Sequence, residues 1–349
     1  MRTVKYTELE KEFIDLLKMK SLIPIIGSGF TRFCNCYGGK VPSGSDMKNY
    51  MIQKLLSINF SNQEKLNSIP FSKVAFYYNK KIPDTQRKRY LRNNFTDVQI
   101  SDDRVSFLSV DWKYIYTLNI DDGIEKNSVY TTVIAPMRDF TKELTDTEHC
   151  VIKVHGDAME MYKYANGESL SVFGLDQYIR SLKTNKFILN RLRHDYAYDN
   201  IIFVGCSLDD EVDLMKTCLE VIDEENNDNT TCSTIKHRYY VTDSPISDTQ
   251  ECDLESYGID TIVLVDNYND FYAKFAYYNE EAKRIPPEQI DLHSHIKFKF
   301  DLVDRDTNKD YFFHGKKLYN PETNTIFSQH FLLKEKFLQS YKKAQTHIQ

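Results

Sequence analysis

The sequence predicts a doubly wound α/β fold built on a mostly parallel sheet. Two observations carry that prediction. Short apolar runs recur at 22–26 (LIPII), 113–118 (KYIYTL), 131–135 (TTVIA), 150–154 (CVIKV), 200–205 (NIIFVG), 238–242 and 261–265. Stretches with helical spacing separate them, and strands that alternate with helices are buried as a parallel sheet covered on both faces. A third observation sets the scale: 349 residues are enough to bury a core without disulfide or metal staples.

The elements follow in order. Thr7-Glu8-Leu9-Glu10 reads as a capping box that opens a helix, with Leu9, Phe13, Leu16 and Leu17 at helical spacing. LIPII reads as a buried strand. Residues 46–56 read as a helix with Met47, Tyr50, Met51 and Leu55 on one face and Ser45 as N-cap. Residues 60–105 are charged and helix-leaning and predict a small helical insert. A helix is expected over 176–193, another from Asp210, and a third near 269–280. The polar, acidic run 223–232 (DEENNDNTTC) reads as a mobile loop. The core domain is expected over 1–282. Ile285-Pro286-Pro287 marks a break, and 283–349 reads as an appendage: alternating short runs (IKFKFDLV), a turn (NPETN) and a Lys-rich helical end.

Composition narrows the function classes. Hydrophobic residues make up 41% and charged residues 28%, the profile of an ordinary globular protein rather than a disordered or collagen-like chain. A net charge of −6 provides no global basic field, so no direct nucleic-acid contact is expected. Lys80-Lys81 and Arg87-Lys88-Arg89 read as solvated helical faces. No apolar run approaches the ~18–20 residues of a spanning helix, and the start lacks a signal-type apolar stretch, so a cytoplasmic chain without a membrane contact is expected. The seven cysteines are odd in number and form no C-x-x-C pair, which fits free thiols in a reducing compartment and argues against structural zinc.

Chemistry is expected at four strand ends. Gly27-Ser28-Gly29-Phe30-Thr31-Arg32 follows LIPII; it suits a phosphate cradle, or a plain tight turn. Thr117-Leu118-Asn119-Ile120-Asp121 ends the next strand, where Asn119 can hold a hydroxyl or a water and Asp121 can orient it, or both can cap the loop. Val154-His155-Gly156-Asp157 places an imidazole at a third strand end, suited to take a proton or to serve as a satisfied structural group. Gly205-Cys206-Ser207-Leu208-Asp209-Asp210 follows NIIFVG, with Ser207 as a donor to ribose or phosphate or as a helix cap. Cys206 has no base nearby in sequence and is not expected to be a nucleophile.

Taken as an ordered set, these motifs resemble the Sir2 (sirtuin-like) superfamily over about residues 20–280: G27-S-G-F-T-R, T117-L-N-I-D-D-G-I-E125, K153-V-H-G156 and G205-C-S-L-D-D210, with Val41-Pro42-Ser43 similar to the loop after the glycine motif. The resemblance implies a Rossmann-like, NAD-binding domain. It implies that Gly27, Ser28, Gly29 and Thr31 line the phosphates, that Asn119 and Asp121 sit around the nicotinamide ribose, that His155 is the catalytic histidine, and that Gly205 and Ser207 face the adenosine half. Deacylating sirtuins carry two C-x-x-C pairs around zinc, and this chain has none. It looks more like the zinc-less bacterial Sir2-like proteins of antiphage defence, which hydrolyse NAD to ADP-ribose and nicotinamide. That resemblance implies NAD as substrate, no metal, a regulated homo-oligomer, and a companion defence protein (an ATPase, an Argonaute-like protein or a phage trigger). The insert at 60–105 and the appendage are the segments expected to make such contacts. A non-catalytic NAD or ADP-ribose sensor and an NAD-dependent deacylase are the alternatives.

Overall fold

The computed structural model describes residues 1–136, 149–163, 174–208, 211–227 and 236–284, and the backbone of four short strands between 302 and 327. Outside the described residues lie Asp209 and Asp210, the 228–232 part of the expected loop, Cys232, the Ile285-Pro286-Pro287 break, the NPETN turn and the Lys-rich end. Two units are distinguished, Met1–Ile285 and Pro286–Gln349.

The first unit is built on eight strands: β1 (Arg2–Lys5), β2 (Leu22–Ile26), β5 (Ile115–Thr117), β6 (Thr132–Ile134), β7 (Cys150–Lys153), β8 (Asn200–Val204), β9 (Arg238–Thr242) and β10 (Thr261–Leu264). Their order is β1-β10-β9-β8-β2-β5-β7-β6, and every ladder is parallel. A small hairpin, β3 (Asn35–Cys36) with β4 (Gly39–Lys40), stands apart. The helices are α1 (Glu10–Lys18), α2 (Gly44–Ser57), α3 (Gln63–Asn67), α4 (Phe71–Lys81), α5 (Asp84–Phe95), α6 (Asp102–Leu108), α7 (Gly123–Lys126), α8 (Ala158–Lys163), α9 (Leu175–Thr184), α10 (Lys186–Tyr198), α11 (Val212–Asn227), α12 (Asp248–Ser256) and α13 (Tyr268–Arg284). Among the described residues, no helix is long and apolar enough to cross a membrane.

Strand alternation divides the core into two layers. Leu22, Ile26, Ile115, Ile202, Val204, Tyr239, Val241 and Val263 pack with α1, α6 and α13. Ile23, Ile25, Tyr116, Ile201, Phe203, Tyr240 and Ile262 pack with α10, α11 and α12. Each strand thus feeds both layers with period two, the behaviour of a sheet covered on both faces. Pro24 is tolerated in a central strand because β5 pairs only with Ile25 and Ile26, which leaves one flank of β2 unladdered at that level. A third cluster, around Met51, Leu55, Val74, Tyr78 and Phe95, is the core of the helical insert.

Several expectations shift. The first helix starts at Glu10 rather than at Thr7, behind an unexpected strand, β1, and a single 3₁₀ turn at Tyr6–Leu9. Its capping interaction runs from the Lys5 N–H to Glu8 instead of from Thr7 to Glu10. The N-cap of α2 is Ser43, which shares reciprocal bonds with Asp46, and not Ser45. The 176–193 helix is two helices broken at Asn185, and the helix expected from Asp210 begins at Val212. Residues 223–227 of the expected loop are the last turn of α11. α12 was not expected at all.

In the second unit, β11 (Leu302–Val303), β12 (Asp310–His314), β13 (Lys317–Asn320) and β14 (Thr325–Phe327) form an antiparallel sheet in sequence order.

Candidate functional site

Register brings the four motifs together. Val204, Ile26, Thr117 and Lys153 form one row across β8, β2, β5 and β7. The row is extended by backbone bonds from Gly27 N to Val204 O, Leu118 N to Ile26 O and Val154 N to Thr117 O, each 2.9 Å. Because the strands are parallel, all four chains leave at the same edge. Asn119 and His155 are each two residues past paired strand ends, so they lie at one level on neighbouring strands. Ligands of open α/β sheets collect at this carboxyl edge.

A chain of buried hydrogen bonds fixes Asn119. Its N–H donates to Thr117 Oγ1 (3.0 Å), and that hydroxyl donates to Ile26 O (2.9 Å). Asn119 Nδ2 donates to Gly27 O (3.0 Å) and to Thr31 Oγ1 (3.2 Å), and Thr31 Oγ1 donates to Asp121 Oδ2 (2.7 Å). The other Asp121 oxygen accepts from Gly123 N at 2.9 Å. The carboxamide therefore has a defined sense: its nitrogen is committed inward, and Oδ1 takes no hydrogen bond among the described residues. Burial raises the Asp121 carboxyl above its usual range, opposed by the Thr31 bond and the Lys153 charge.

The glycine loop is tied to the neighbouring strand end. Gly27 N and Gly29 N donate to Val204 O and Gly205 O, so these N–H groups tie β2 to β8. A Cβ on Gly27 would lie 2.5 Å from Gly205 O, and one on Gly205 would lie 2.7 Å from Phe30 N. These glycines allow two loops to touch backbone to backbone. Thr31, expected on the phosphates, is wholly buried and orients Asn119 and Asp121. Ser28, Gly29, Arg32 and Ser207 are exposed on the two loops. Gly205 has φ +68°, so Gly205→Ala combines left-handed strain with the clash on Phe30. A loss of about 2–3 kcal/mol is expected, read as a lowered midpoint in denaturant unfolding.

Beneath the site lies a buried cation. Lys153 is 0% exposed; its Nζ donates to Asp121 O (2.6 Å) and pairs with Glu125 and Asp157. Burial pushes the Glu125 carboxyl up to about 7 against the pull of Lys153. Asp157 also caps α8 by accepting from Glu160 N at 2.9 Å, one residue beyond Gly156 at φ +104°. The helix break at Asn185 belongs to the same edge, since Asn185 Nδ2 donates to Val154 O at 2.9 Å.

His155 is 2% exposed and stands on two carboxylates that the sequence reading did not single out. Its Nε2 lies 3.3 Å from both Asp213 Oδ1 and Glu211 Oε2. The Leu118 backbone also favours the charged ring, and the Tyr178 ring meets it edge-on at 5.5 Å. Burial alone would lower the imidazole pKa, but Glu211 and Asp213 outweigh it and lift the value to about 9. Asp213 is wholly buried and accepts from Leu214 N (2.9 Å) and Ser181 Oγ (3.0 Å). Despite its burial, the His155 charge and these bonds keep its carboxyl below the usual range. His155, Glu211 and Asp213 are also the side chains whose donor atoms, all within 4.8 Å of one another, could hold a metal ion. Cys206 is no nucleophile here: burial raises its thiol pKa, and its Sγ sits 3.4 Å from Ile25 O.

Residues 113–262 match the family model described as a SIR2-like domain. The match takes in Asn119, His155, Gly205 and both carboxylates beside the imidazole, and begins after the Gly27 loop. No curated protein matches the chain.

Proposed function

We propose, from the match of residues 113–262 to a SIR2-like domain, that the chain is an NAD glycohydrolase, cleaving NAD to ADP-ribose and nicotinamide. The observation that carries this reading is the shared level of Asn119 and His155 on β5 and β7, beside the edge formed by Ser28, Gly29 and Ser207.

The chemistry asks little of the protein. Nicotinamide in NAD is a cationic pyridinium on C1′ of a ribose. The C1′–N bond breaks with its electron pair on nitrogen, which releases neutral nicotinamide and leaves an oxocarbenium-like sugar. Water oxygen bonds to C1′, and one proton must leave. Asn119 Oδ1, with Nδ2 anchored on Gly27 and Thr31, is the acceptor that orients the water or a ribose hydroxyl. His155 is the residue assigned the proton. The Glu211 and Asp213 carboxylates, 3.3 Å from His155, supply negative charge that favours a developing sugar cation. Positioning water and ribose supplies further rate.

Within the same reading, Ser28, Gly29 and Ser207 contact the phosphate and adenosine parts, and the protein acts as a regulated, oligomeric effector of antiphage defence with a companion protein. One observation favours a second reading, a sensor that binds NAD without cleaving it: the imidazole nitrogen is already held by two carboxylates.

Incubation of the purified full chain with NAD, with and without the companion, tests the proposal. Nicotinamide and ADP-ribose are expected in equal amounts by chromatography. NAD bound yet intact after prolonged incubation would favour the sensor. Product formed only with an acylated peptide would favour a deacylase.

A further inference from the structure

We propose that His155, Glu211 and Asp213 form a binding site for a divalent transition-metal ion of zinc type, and that an ion held there takes the His155 lone pair and shuts the site down. The ion site stands on its own geometry. Its inhibitory effect rests on the hydrolase reading and adds a regulator to it.

The spacing carries the inference. His155 Nε2 lies 3.3 Å from both Glu211 Oε2 and Asp213 Oδ1. With metal–ligand bonds of about 2.0–2.1 Å, neighbouring donors of a tetrahedral zinc site lie about 3.3–3.4 Å apart. Two edges of such a site are thus already set. The third, between the two carboxylates, spans no more than 4.8 Å.

The donors also suit the ion. One imidazole nitrogen and two carboxylate oxygens match zinc, whereas magnesium and calcium ask for six or more oxygens. With the ring neutral the set carries two negative charges, the complement of a divalent cation. Three ligands leave zinc one further position. The donors are held from outside the set as well. Asp213 is wholly buried within α11 and accepts from Leu214 N and Ser181 Oγ. The Leu118 backbone and the edge of the Tyr178 ring hold the imidazole. Outer partners of this kind fix the aim of metal ligands. Glu211, with its side chain 22% exposed, opens the set to solvent and gives an ion its way in.

The neighbouring buried carboxylates make no such offer: Glu125 and Asp157 face the Lys153 ammonium, which excludes a second cation. Among the described residues, His155, Glu211 and Asp213 are the one group of three histidine, cysteine or carboxylate side chains whose donor atoms are close enough to share an ion. One ion per chain is therefore expected.

The test uses the full chain, freed of metal with a chelator and titrated with zinc chloride or cobalt chloride. Uptake of one ion by equilibrium dialysis and the visible absorption of tetrahedral cobalt(II) are expected, and zinc should raise the urea midpoint. Glu211→Gln and Asp213→Asn are each expected to weaken uptake by at least roughly 100-fold, more than loss of an outer partner does. Glu220→Gln removes an equal charge from an exposed position on α11 and is expected to bind like the native chain. Glu211→Gln, at the partly exposed position, keeps the test decisive if Asp213→Asn does not fold. Saturating zinc is expected to lower nicotinamide release by roughly 10²-fold or more, the share a positioned base supplies, and the chelator to restore it. No uptake, native-like uptake by Glu211→Gln, or a cobalt spectrum without tetrahedral absorption overturns the site. Full release with zinc bound overturns the inhibition. If the metal-free chain releases no nicotinamide, the hydrolase reading fails, while dialysis and the cobalt spectrum still decide the site.

Discussion

His155→Ala and Asn119→Ala are each expected to lower nicotinamide release by about 10²–10⁴-fold while leaving the fold intact. The two losses differ in kind. Truncating His155 removes the proton acceptor and leaves Asp213 and Glu211 facing one another across a small void, with Leu214 N and Ser181 Oγ still satisfying Asp213. Truncating Asn119 removes the oriented acceptor and strips Gly27 O and Thr31 Oγ1 of a donor, so the glycine loop loosens as well. Asn119→Asp makes the sharper test. It puts a carboxylate against a carbonyl and close to Asp121, where the native chain places a donor, and is expected to lose activity and stability together. Single-turnover release of nicotinamide, with unfolding midpoints measured in parallel, separates these effects. Native-like release in both alanine variants would remove the site assignment.

Lys153→Met is expected to cost about 3–5 kcal/mol, among the largest losses available in this chain, although Lys153 touches no solvent. Removing the ammonium leaves Glu125 and Asp157 buried without a counter-charge and takes a donor from Asp121 O. The native pH dependence follows from Glu125. Its carboxyl is near 4.5 when unfolded and about 7 when folded, so the folded state binds the extra proton between those values. This group's contribution is therefore most favourable below about 4.5 and declines as pH rises through about 7. In Lys153→Met the penalty should ease as pH falls and Glu125 takes up its proton. Urea unfolding between pH 5 and 8 reads both effects; a variant with the native midpoint throughout would show that the triad adds nothing.

Much of the fold was legible because its signals are local. LIPII, KYIYTL, CVIKV and NIIFVG are apolar runs that end in Gly or polar residues, and each is a strand within one or two residues of the expected bounds. β1 was missed because Arg2–Lys5 is a largely exposed strand that, among the described residues, ladders only with β10, which is remote in sequence. α12 was missed because its nine residues bury only Leu254. The break at Asn185 is invisible to periodicity: it exists because one carboxamide reaches Val154 O.

The candidate site divides in the same way. The common edge of Asn119, Asp121 and His155 was legible because strand-end residues in a parallel sheet leave on one side, and the sequence already shows where strands stop. Glu211 and Asp213 were missed although acidic residues crowd the stretch after Gly205-Cys206-Ser207. Which carboxylates of such a run turn inward depends on where α11 begins, and that is set by packing rather than by composition. The glycines carry a packing demand that their pattern does not spell out: a Cβ on Gly27 would meet Gly205 O and Cys206, and one on Gly205 would meet Phe30 N and Gly29.

One further side chain ties the helical insert to the chemistry. Asp122, three positions after Asn119, holds the backbone N–H groups of Asp97 and Val98 at 2.9 Å each, and Asn127 Nδ2 donates to Val98 O at the same distance. The stretch by which the chain leaves α5 is thus moored to the loop that carries the carboxamide. Strain on the residues that follow α5 therefore passes through Asp122 to the loop that holds Asn119.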